Sequence, residues 1–309
     1  MSLVILEPGI ESRIVDLGRP HSRSLGVPVG GAADRRALML GNTLLGNPPD
    51  AAALEIALKG PRLRADADVG CVISGAPFDA YGDSDRIAPG HTFTLRAGES
   101  LQIDGAGEGA RAYLCVRGGF HVPAILGSRS ALEPIREGDL LACEASAIHC
   151  RYCLESPSSY SQVRTITVVA GLQAGWFDDA EFYRQTLAIS VASNRMGLRL
   201  KGEPLTMAAC ELVSEAVCPG AVQVTPDGQC IVLGVDGQTI GGYPKIAQVI
   251  QADLDMLGQL RPGQSIEFKK ITLDEAIARD RQAQSELRYW IMRLRLSLDA
   301  FPAERKLQT

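Results

Sequence analysis

The chain has 309 residues, 46% of them hydrophobic, and 31 basic against 36 acidic side chains give a formal net charge of −5. This balance argues against nucleic acid as the main partner, since phosphate binding needs a concentrated basic surface. The length allows one large or two medium domains, each with its own core. No apolar run reaches the ~18–20 residues that cross a bilayer, and the N-terminus lacks a signal-peptide pattern. We therefore expect a cytoplasmic protein that does not associate with membranes.

Most of the chain is predicted to form β-strands. Short apolar stretches bounded by Gly, Pro, Asp and Asn recur along it, as in barrels and sandwiches built from many short strands. The predicted strands lie at 4–6, 69–73, 92–95, 112–116, 165–169, 221–224 and 229–233. The polar, Ser-rich segment 155–163 is the predicted linker between two strand-rich halves, at 1–154 and 164–272.

Helices are predicted to be few. The segments with helical patterns are 33–45, 178–186, 245–257 and 273–298. Asp34 precedes the first of these and is predicted to be its N-cap. The last is rich in Ala, Gln, Glu, Arg and Leu and carries an irregular apolar stripe, so a C-terminal helix is predicted over 273–300.

The eight cysteines are predicted to be mainly buried, reduced thiols. Only Cys150 and Cys153, preceded by His149, have a spacing that suits metal or redox chemistry, and one such pair is weak evidence. We therefore predict no metal site. The chain also lacks a P-loop, a GxSxG nucleophile elbow and a Met-Lys-Met biotin-attachment segment, so ATP or biotin would have to come from another subunit.

The segment 236–245 is the best candidate site, because turn glycines and polar side chains are concentrated there. Asp236 could accept an N–H group or act as a general base, and Gln238 could donate to a carbonyl. Tyr243 could do either, and Gly241 and Gly242 would let the backbone approach a ligand closely. The alternative is a structural turn in which Asp236 caps backbone N–H groups and Tyr243 packs.

A second candidate segment contains two arginines four residues apart, Arg195 and Arg199, next to Asn194. A guanidinium is a planar fork of donors that matches a carboxylate, a carboxyl group on biotin or a carboxamide oxygen. The alternative is that Arg195 bonds backbone carbonyls and an acidic partner such as Asp236, which would lock a turn. Glu55 is interpreted as a polar anchor within the core.

Several segments, in one order along about 1–275, resemble the KipA family, also called the allophanate hydrolase subunit 2 or biotin-dependent carboxyltransferase-like family. This family includes the C subunit of bacterial 5-oxoprolinase and part of urea carboxylase. The matching segments are 15–20, 26–34, 41–47, 54–55, 116–119, 126–130, 193–200, 214–215, 219–224 and 236–244. Two departures are Asn194, where the family usually has Asp, and 132–137, which replaces a Gly-rich insert.

The resemblance implies a mainly β fold of two cyclophilin-like β-barrel units, an N-terminal β-barrel half at 1–154 and a C-terminal one at 164–272. It implies Asp236, Arg195 and Gln238 as catalytic residues. The residues implied to bind substrate are Asn194, Arg199, Gln223, Gly241, Gly242 and Tyr243. It also implies a KipI-like (PxpB-like) partner subunit, and a PxpA-like subunit as a further one.

Three functions follow as hypotheses from this resemblance. The first is a non-autonomous subunit of an ATP-dependent 5-oxoprolinase, which opens 5-oxoproline to glutamate. The second is a carboxyltransferase component that moves a carboxyl group from carboxybiotin to urea or a similar amide. The third is a non-catalytic regulator that binds a KipI-like partner, and the two departures favour it. In the first two, ATP or carboxybiotin is supplied by a partner subunit.

Overall fold

The computed structural model of the chain describes residues 1–83, 85–148, 163–207 and 212–299. These residues form a mainly β fold with a long helix at the C-terminal end. The predicted linker, apart from Val163, lies outside the described residues, as do His149, Cys150 and Cys153.

The first half is built from short strands that form two antiparallel sheets. The strands are β1 (Ser2–Glu7), β2 (Glu11–Val15), β3 (Ala53–Ala57), β4 (Arg62–Ala65), β5 (Val69–Gly75), β6 (Ala80–Tyr81), β7 (Arg86–Ile87), β8 (Thr92–Leu95), β9 (Ser100–Ile103), β10 (Arg111–Val116) and β11 (Leu140–Ala142). One sheet has the order β11-β1-β4-β9-β6-β7 and the other β2-β3-β10-β5-β8. Side chains of both, such as Ile5, Leu63, Ile56 and Leu114, meet in a shared core.

The second half contains a closed barrel. The strands of the second half are β12 (Val163–Ala170), β13 (Leu187–Ile189), β14 (Gly197–Lys201), β15 (Glu215–Ala216), β16 (Ala221–Val224), β17 (Cys230–Leu233), β18 (Ile240–Gly241), β19 (Lys245–Val249) and β20 (Ser265–Lys270), and all but β15 and β18 belong to the barrel. The barrel order is β12-β19-β16-β17-β14-β13-β20, and β12 and β20 run parallel where the barrel closes. Alternate side chains such as Ile166, Val222, Val232 and Ile266 fill its interior.

A short two-stranded ribbon, β15 with β18, lies over the outer surface of this barrel. Val222 and Val224 of β16 point into the barrel core, so Gln223 between them points outward. Gln223 is nevertheless only 1% exposed. The side chain that Gly241 lacks would collide with the Gln223 amide, which places the ribbon directly over Gln223.

The helices are α1 (Arg35–Leu44), α2 (Asp179–Tyr183), α3 (Leu254–Leu257) and α4 (Leu273–Asp299). Asp34 caps α1 as predicted, because its Oδ1 accepts the Ala37 N–H at 2.9 Å. Helix α1 packs its apolar face on β5 and β10. Helix α4 lies against α1, and among its described side chains only that of Ala276 is buried.

The prediction of a mainly β fold with few helices and a C-terminal helix is confirmed. The helix predicted over 245–257 is wrong: its first part is the barrel strand β19, and helical structure begins only after Ile250. Strand β19 pairs with β12 on one side and β16 on the other. Two strand ladders therefore override the local helical preference.

Gln259 fastens the two halves together. It follows α3 in the second half, and its side chain is 5% exposed. Its Oε1 accepts the N–H groups of Ala110 and Arg111 at 3.1 and 3.0 Å. Its Nε2 donates to Asp34 Oδ2 at 2.7 Å and to the Arg111 carbonyl at 3.0 Å. The amide is thus fully used, and every bond crosses to the first half.

We predict that Gln259→Ala lowers the free energy of unfolding by about 3 kcal/mol. The change leaves the buried N–H groups of Ala110 and Arg111 without this acceptor, and each unpaired buried group costs about 1–3 kcal/mol. The Arg111 carbonyl and the Asp34 carboxylate lose one donor each but keep the N–H groups of Ala76 and Ala37. Urea denaturation measures the effect. The matched control is Gln282→Ala, an exposed α4 residue whose amide bonds only Glu286 of the same helix. Equal stability of the two variants would contradict this role of Gln259.

Candidate functional site at the junction of the two halves

Arg195 lies at the centre of a buried charge cluster between the halves. Its Nε and Nη2 donate to the two carboxylate oxygens of Asp236 at 2.7 and 3.0 Å. Its Nη1 donates to Glu55, and Nη2 also donates to the Gly31 carbonyl at 2.7 Å. The side chain is 5% exposed. The alternative in which Arg195 bonds a carbonyl and Asp236 is therefore the geometry that the structure has.

The backbone around this pair explains why Arg195 and Asp236 meet. The turn before β14 and the turn after β17 run side by side, because Asp236 N–H donates to the Arg195 carbonyl at 3.1 Å and Gly234 N–H to the Met196 carbonyl at 2.9 Å. Gly31 adopts φ +80°, and a Cβ there would lie 2.6 Å from the Gly18 nitrogen. Only glycine lets this loop present its carbonyl to Arg195.

Glu55 is the first-half member of the cluster. It lies in the middle of the apolar strand β3 and is 2% exposed. Its Oε1 also lies 3.4 Å from Arg111 Nε, and its Oε2 accepts the Tyr113 hydroxyl and the Ala33 N–H, each at 2.8 Å. The interpretation of Glu55 as a polar core anchor agrees with this geometry. We call Glu55, Arg111, Arg195, Asp236 and Arg13, which lies 3.5 Å from Asp236, the junction cluster.

Electrostatics holds the junction cluster in its charged form. Burial opposes ionisation of Glu55, but attraction by the Arg195 and Arg111 guanidiniums, together with the hydrogen bonds to the carboxylate, outweighs burial and keeps the pKa of Glu55 below its ordinary 4.5. Burial also opposes the charge of Arg195, and the Glu55 and Asp236 carboxylates raise its pKa instead. Arg195 therefore has its charge neutralised within the protein, and its bonded donors are engaged before any ligand arrives.

A cavity of about 760 Å³ opens beside the junction cluster. Residues of both halves and the first turns of α4 line it, and most of the lining is apolar. Its polar lining includes Asn194, Arg195, Arg35 and Asp255. Burial raises the pKa of Asp255, which accepts the Arg35 N–H at 3.0 Å. The volume of the cavity falls within the range of small-molecule sites, so the cavity can admit a ligand between the halves.

The structure divides the other candidate residues into separate groups. Asn194 is exposed at the cavity, and its Oδ1 accepts the Met196 N–H at 2.9 Å. Gln238, Gly242 and Tyr243 are exposed on and beside the ribbon that covers Gln223. These residues retain side-chain or backbone surface that a ligand could contact.

Arg199 stands apart from both groups. It is exposed on the outer face of β14, in a shallow groove with Ser190 and Gln229. Its four-residue spacing from Arg195 does not bring the two guanidiniums together, because the chain between them is a turn followed by a strand rather than a helix.

Sequence reasoning did not identify Arg13, Arg111 or Lys245 as members of polar clusters. Arg111 begins the apolar strand β10, and Lys245 begins β19 and is 6% exposed. The available signal was a charged residue at the end of a buried strand, since such charges are rarely buried unless they are paired.

The described cysteines are free thiols, and most are buried. Burial raises the pKa of Cys143 to about 11 and that of Cys230 to about 12, which keeps both protonated and unreactive. Across the described ranges, no group of three or more His, Cys, Asp or Glu side chains could hold a metal ion. None of the described helices is both long and apolar enough to cross a membrane.

Residues 25–270 match the carboxyltransferase domain family, subdomains A and B. The chain belongs to this carboxyltransferase domain family. The family assignment confirms the resemblance seen in the sequence. The 5-oxoprolinase C subunit of Escherichia coli is 35% identical over 304 residues, which cover 93% of this chain and 96% of the relative. That of Haemophilus influenzae is 34% identical and covers 88% and 92%.

Two solved structures share the fold of this chain. The protein TTHA0988 superimposes with a TM-score of 0.79 at 33% identity over 87% of this chain. The urea carboxylase of Kluyveromyces lactis does so with a TM-score of 0.85 at 25% identity over 94%. This chain spans only 55% of the TTHA0988 chain and 29% of the carboxylase chain, so both contain substantial further sequence.

We predict that Glu55→Gln lowers the free energy of unfolding by about 3–5 kcal/mol, because loss of one partner leaves the buried Arg195 charge incompletely paired. The variant should also change the pH dependence. The depressed pKa of Glu55 means that its contribution is complete above about pH 4.5 and is lost as the pH falls through its folded-state pKa. Urea denaturation between neutral pH and about pH 3 measures both effects.

The matched control for this change is Glu137→Gln, at an exposed carboxylate in a first-half turn. It should leave the stability and its acid dependence as in the wild type. If the free energy of unfolding falls as steeply with decreasing pH in Glu55→Gln as in the wild type, the assignment of Glu55 as the charge partner of Arg195 is contradicted.

Proposed function

We propose that this chain is the C subunit of a heteromeric, ATP-dependent 5-oxoprolinase, which opens the lactam 5-oxoproline to glutamate. The observation that carries the proposal is the match in length as well as in sequence. The two 5-oxoprolinase C subunits align with this chain over 92% and 96% of their own lengths, at 34% and 35% identity. The urea carboxylase contains the same fold as less than a third of its chain.

The proposal requires partner subunits. No P-loop or biotin-attachment segment occurs in the sequence, and the proposal therefore assigns the binding and use of ATP to another subunit of the complex. A KipI-like (PxpB-like) subunit and a PxpA-like subunit are the proposed partners, and the cytoplasm is the proposed compartment. The balanced reaction consumes 5-oxoproline, ATP and two water molecules. The lactam C–N bond breaks as one water adds its oxygen to the carbonyl carbon and a proton to the amine nitrogen, and the second water is used in converting ATP to ADP and phosphate, so that glutamate, ADP and phosphate are released.

The exposed groups around the ribbon support a contact with the lactam. Gln238 would donate to a substrate oxygen, and Tyr243 would donate or accept at the rim. Asp236, whose side chain is 25% exposed, would take or give a proton, and Arg195 would hold Asp236 in place rather than bind substrate with its engaged donors. Arg195 is in this proposal a positioning residue.

A second candidate function is carboxyl transfer from carboxybiotin to a urea-like nitrogen. The family description and the fold shared with a urea carboxylase favour it. In this reaction the carboxyl C–N bond to biotin breaks and a new C–N bond forms to the acceptor. The same polar groups would polarise the carboxyl group and the amide.

Reconstitution separates the candidate functions. The chain is purified alone and with the subunits encoded next to it, and 5-oxoproline-dependent ATP hydrolysis and glutamate formation are measured. We expect turnover only in the mixture and no inhibition by avidin. Avidin-sensitive carboxylation of urea would instead establish the second function. A tight complex that turns over no lactam or urea would identify a regulator.

In the active complex, Asp236→Ala is predicted to lower turnover at least about a hundredfold, the low end of what a positioned acid–base group contributes. Assembly of the complex and cooperative unfolding should persist, because Glu55 still pairs with Arg195. Asp50→Ala, at an exposed carboxylate in the loop after α1, is the control and should retain full activity. Full activity of Asp236→Ala would remove Asp236 from the reaction.

A further inference from the structure

The ribbon covers two neighbouring polar side chains of the barrel. Gln223 of β16 pairs with Lys245 of β19 just after a bulge in the ladder. Each lies next to residues that point into the core, Val222 and Val224 beside Gln223 and Ile246 beside Lys245, so both project from the outer face. Gln223 is 1% exposed and Lys245 is 6% exposed. Directly over them, Glu215 and Gly241 form a residue pair of the ribbon. Two buried polar groups of the barrel therefore face one carboxylate and one glycine.

The ribbon pairs the charge of one of these groups. Lys245 Nζ forms an ion pair with Glu215 Oε1. Gln173 supports the pair, since its Nε2 donates to Glu215 Oε1 at 2.8 Å and its Oε1 accepts the Lys245 N–H at 3.0 Å. The positive charge of Lys245 is neutralised within the protein, and it attracts no anion of its own.

The other group is left without a partner. Gln223 Nε2 is buried and has no hydrogen-bond acceptor. A Cβ at Gly241 would lie 2.8 Å from this nitrogen and 3.3 Å from Gln238 Nε2, so two amide nitrogens converge beside the glycine. An unpaired buried donor is costly and calls for an explanation, and the missing piece here is an acceptor.

We propose that Gln223, Gln238 and Gly241 form an amide niche that binds the carbonyl oxygen of a small neutral amide or lactam, with Gln223 Nε2 as the buried donor. The ligand class rests on the proposed function, since 5-oxoproline carries such a carbonyl. The donors of the niche are neutral, so a carbonyl fits them better than a carboxylate, whose charge would be buried without a counterion. The carboxylate of 5-oxoproline would remain in solvent.

Access to the niche requires the ribbon to shift. The ribbon contains only two residue pairs, Glu215 with Gly241 and Ala216 with Ile240. Ribbons of this size are marginally stable by themselves and move at low cost. Gly242 and Tyr243 next to it are exposed, and they mark the side from which a ligand would enter.

The deciding variant is Gln223→Met, which keeps the length of the side chain and removes the unpaired donor. A purely structural Gln223 predicts unchanged ligand affinity and unchanged or higher thermal stability. The niche predicts the same stability together with a KM for 5-oxoproline that rises about tenfold in the reconstituted complex, the loss expected for one hydrogen bond.

The matched control is Gln229→Met, on the same barrel but outside the niche. The Gln229 amide bonds both backbone groups of Gly202, at 3.3 and 3.2 Å. This variant should lose stability and keep the wild-type KM, which is the opposite pattern. A wild-type KM for Gln223→Met in an active complex would overturn the niche and leave the proposed function intact.

A binding measurement on the full chain covers the case in which no lactam is turned over. The side-chain amide resonance of Gln223 is followed by NMR during titration with 5-oxoproline, 2-pyrrolidinone, urea and acetate. The niche predicts saturable shifts with the carbonyl compounds and none with acetate. A shift with urea or 2-pyrrolidinone, together with no turnover of 5-oxoproline by the reconstituted complex, would keep the niche and refute the 5-oxoprolinase assignment. No shift of the chain with any carbonyl compound, together with an inactive reconstituted complex, would refute the niche.

Discussion

The structure depends on one guanidinium buried between two carboxylates that come from different halves of the chain. Removing Arg195 from water is costly, and only close pairing with Glu55 and Asp236 offsets that cost. The planar fork of donors accepts few geometries. The pairing therefore fixes how the barrel sits against the sheets of the first half, and with it the walls of the cavity between them. The side-chain amide of Gln259 adds a second contact between the halves, which consists of hydrogen bonds rather than an ion pair.

Local patterns in the sequence were sufficient to predict several strands and the first and last helices. Short apolar stretches bounded by turn residues located strands such as β10 and β17, and Asp34 marked the start of α1. The helix predicted at 245–257 failed because a segment's neighbours in a barrel, which lie far away in sequence, decide whether it extends. Local periodicity carries no information about those neighbours.

The candidate site was predictable in its members but not in their grouping. A carboxylate within the apolar strand β3 identified Glu55 as an anchor, yet its partner Arg195 lies 140 residues away. The glycine-rich segment 236–245 identified Gly241, whereas the reason for this glycine is its close approach to Gln223 of another strand. Family resemblance supplied Gln223 as a candidate, and only the structure shows that its amide lacks an acceptor.

The structure separates the charged groups from the groups that can still bind. Arg195, Glu55 and Lys245 are paired within the protein, so a substrate could use them only by breaking a buried ion pair. Gln223 has an unused donor, and Gln238 and Tyr243 reach solvent. On the proposed function this division suits a lactam, which is neutral at the reacting amide. Neutral donors can bind its carbonyl without attracting the abundant anions of the cell, and on the same proposal activation by ATP would fall to a partner subunit.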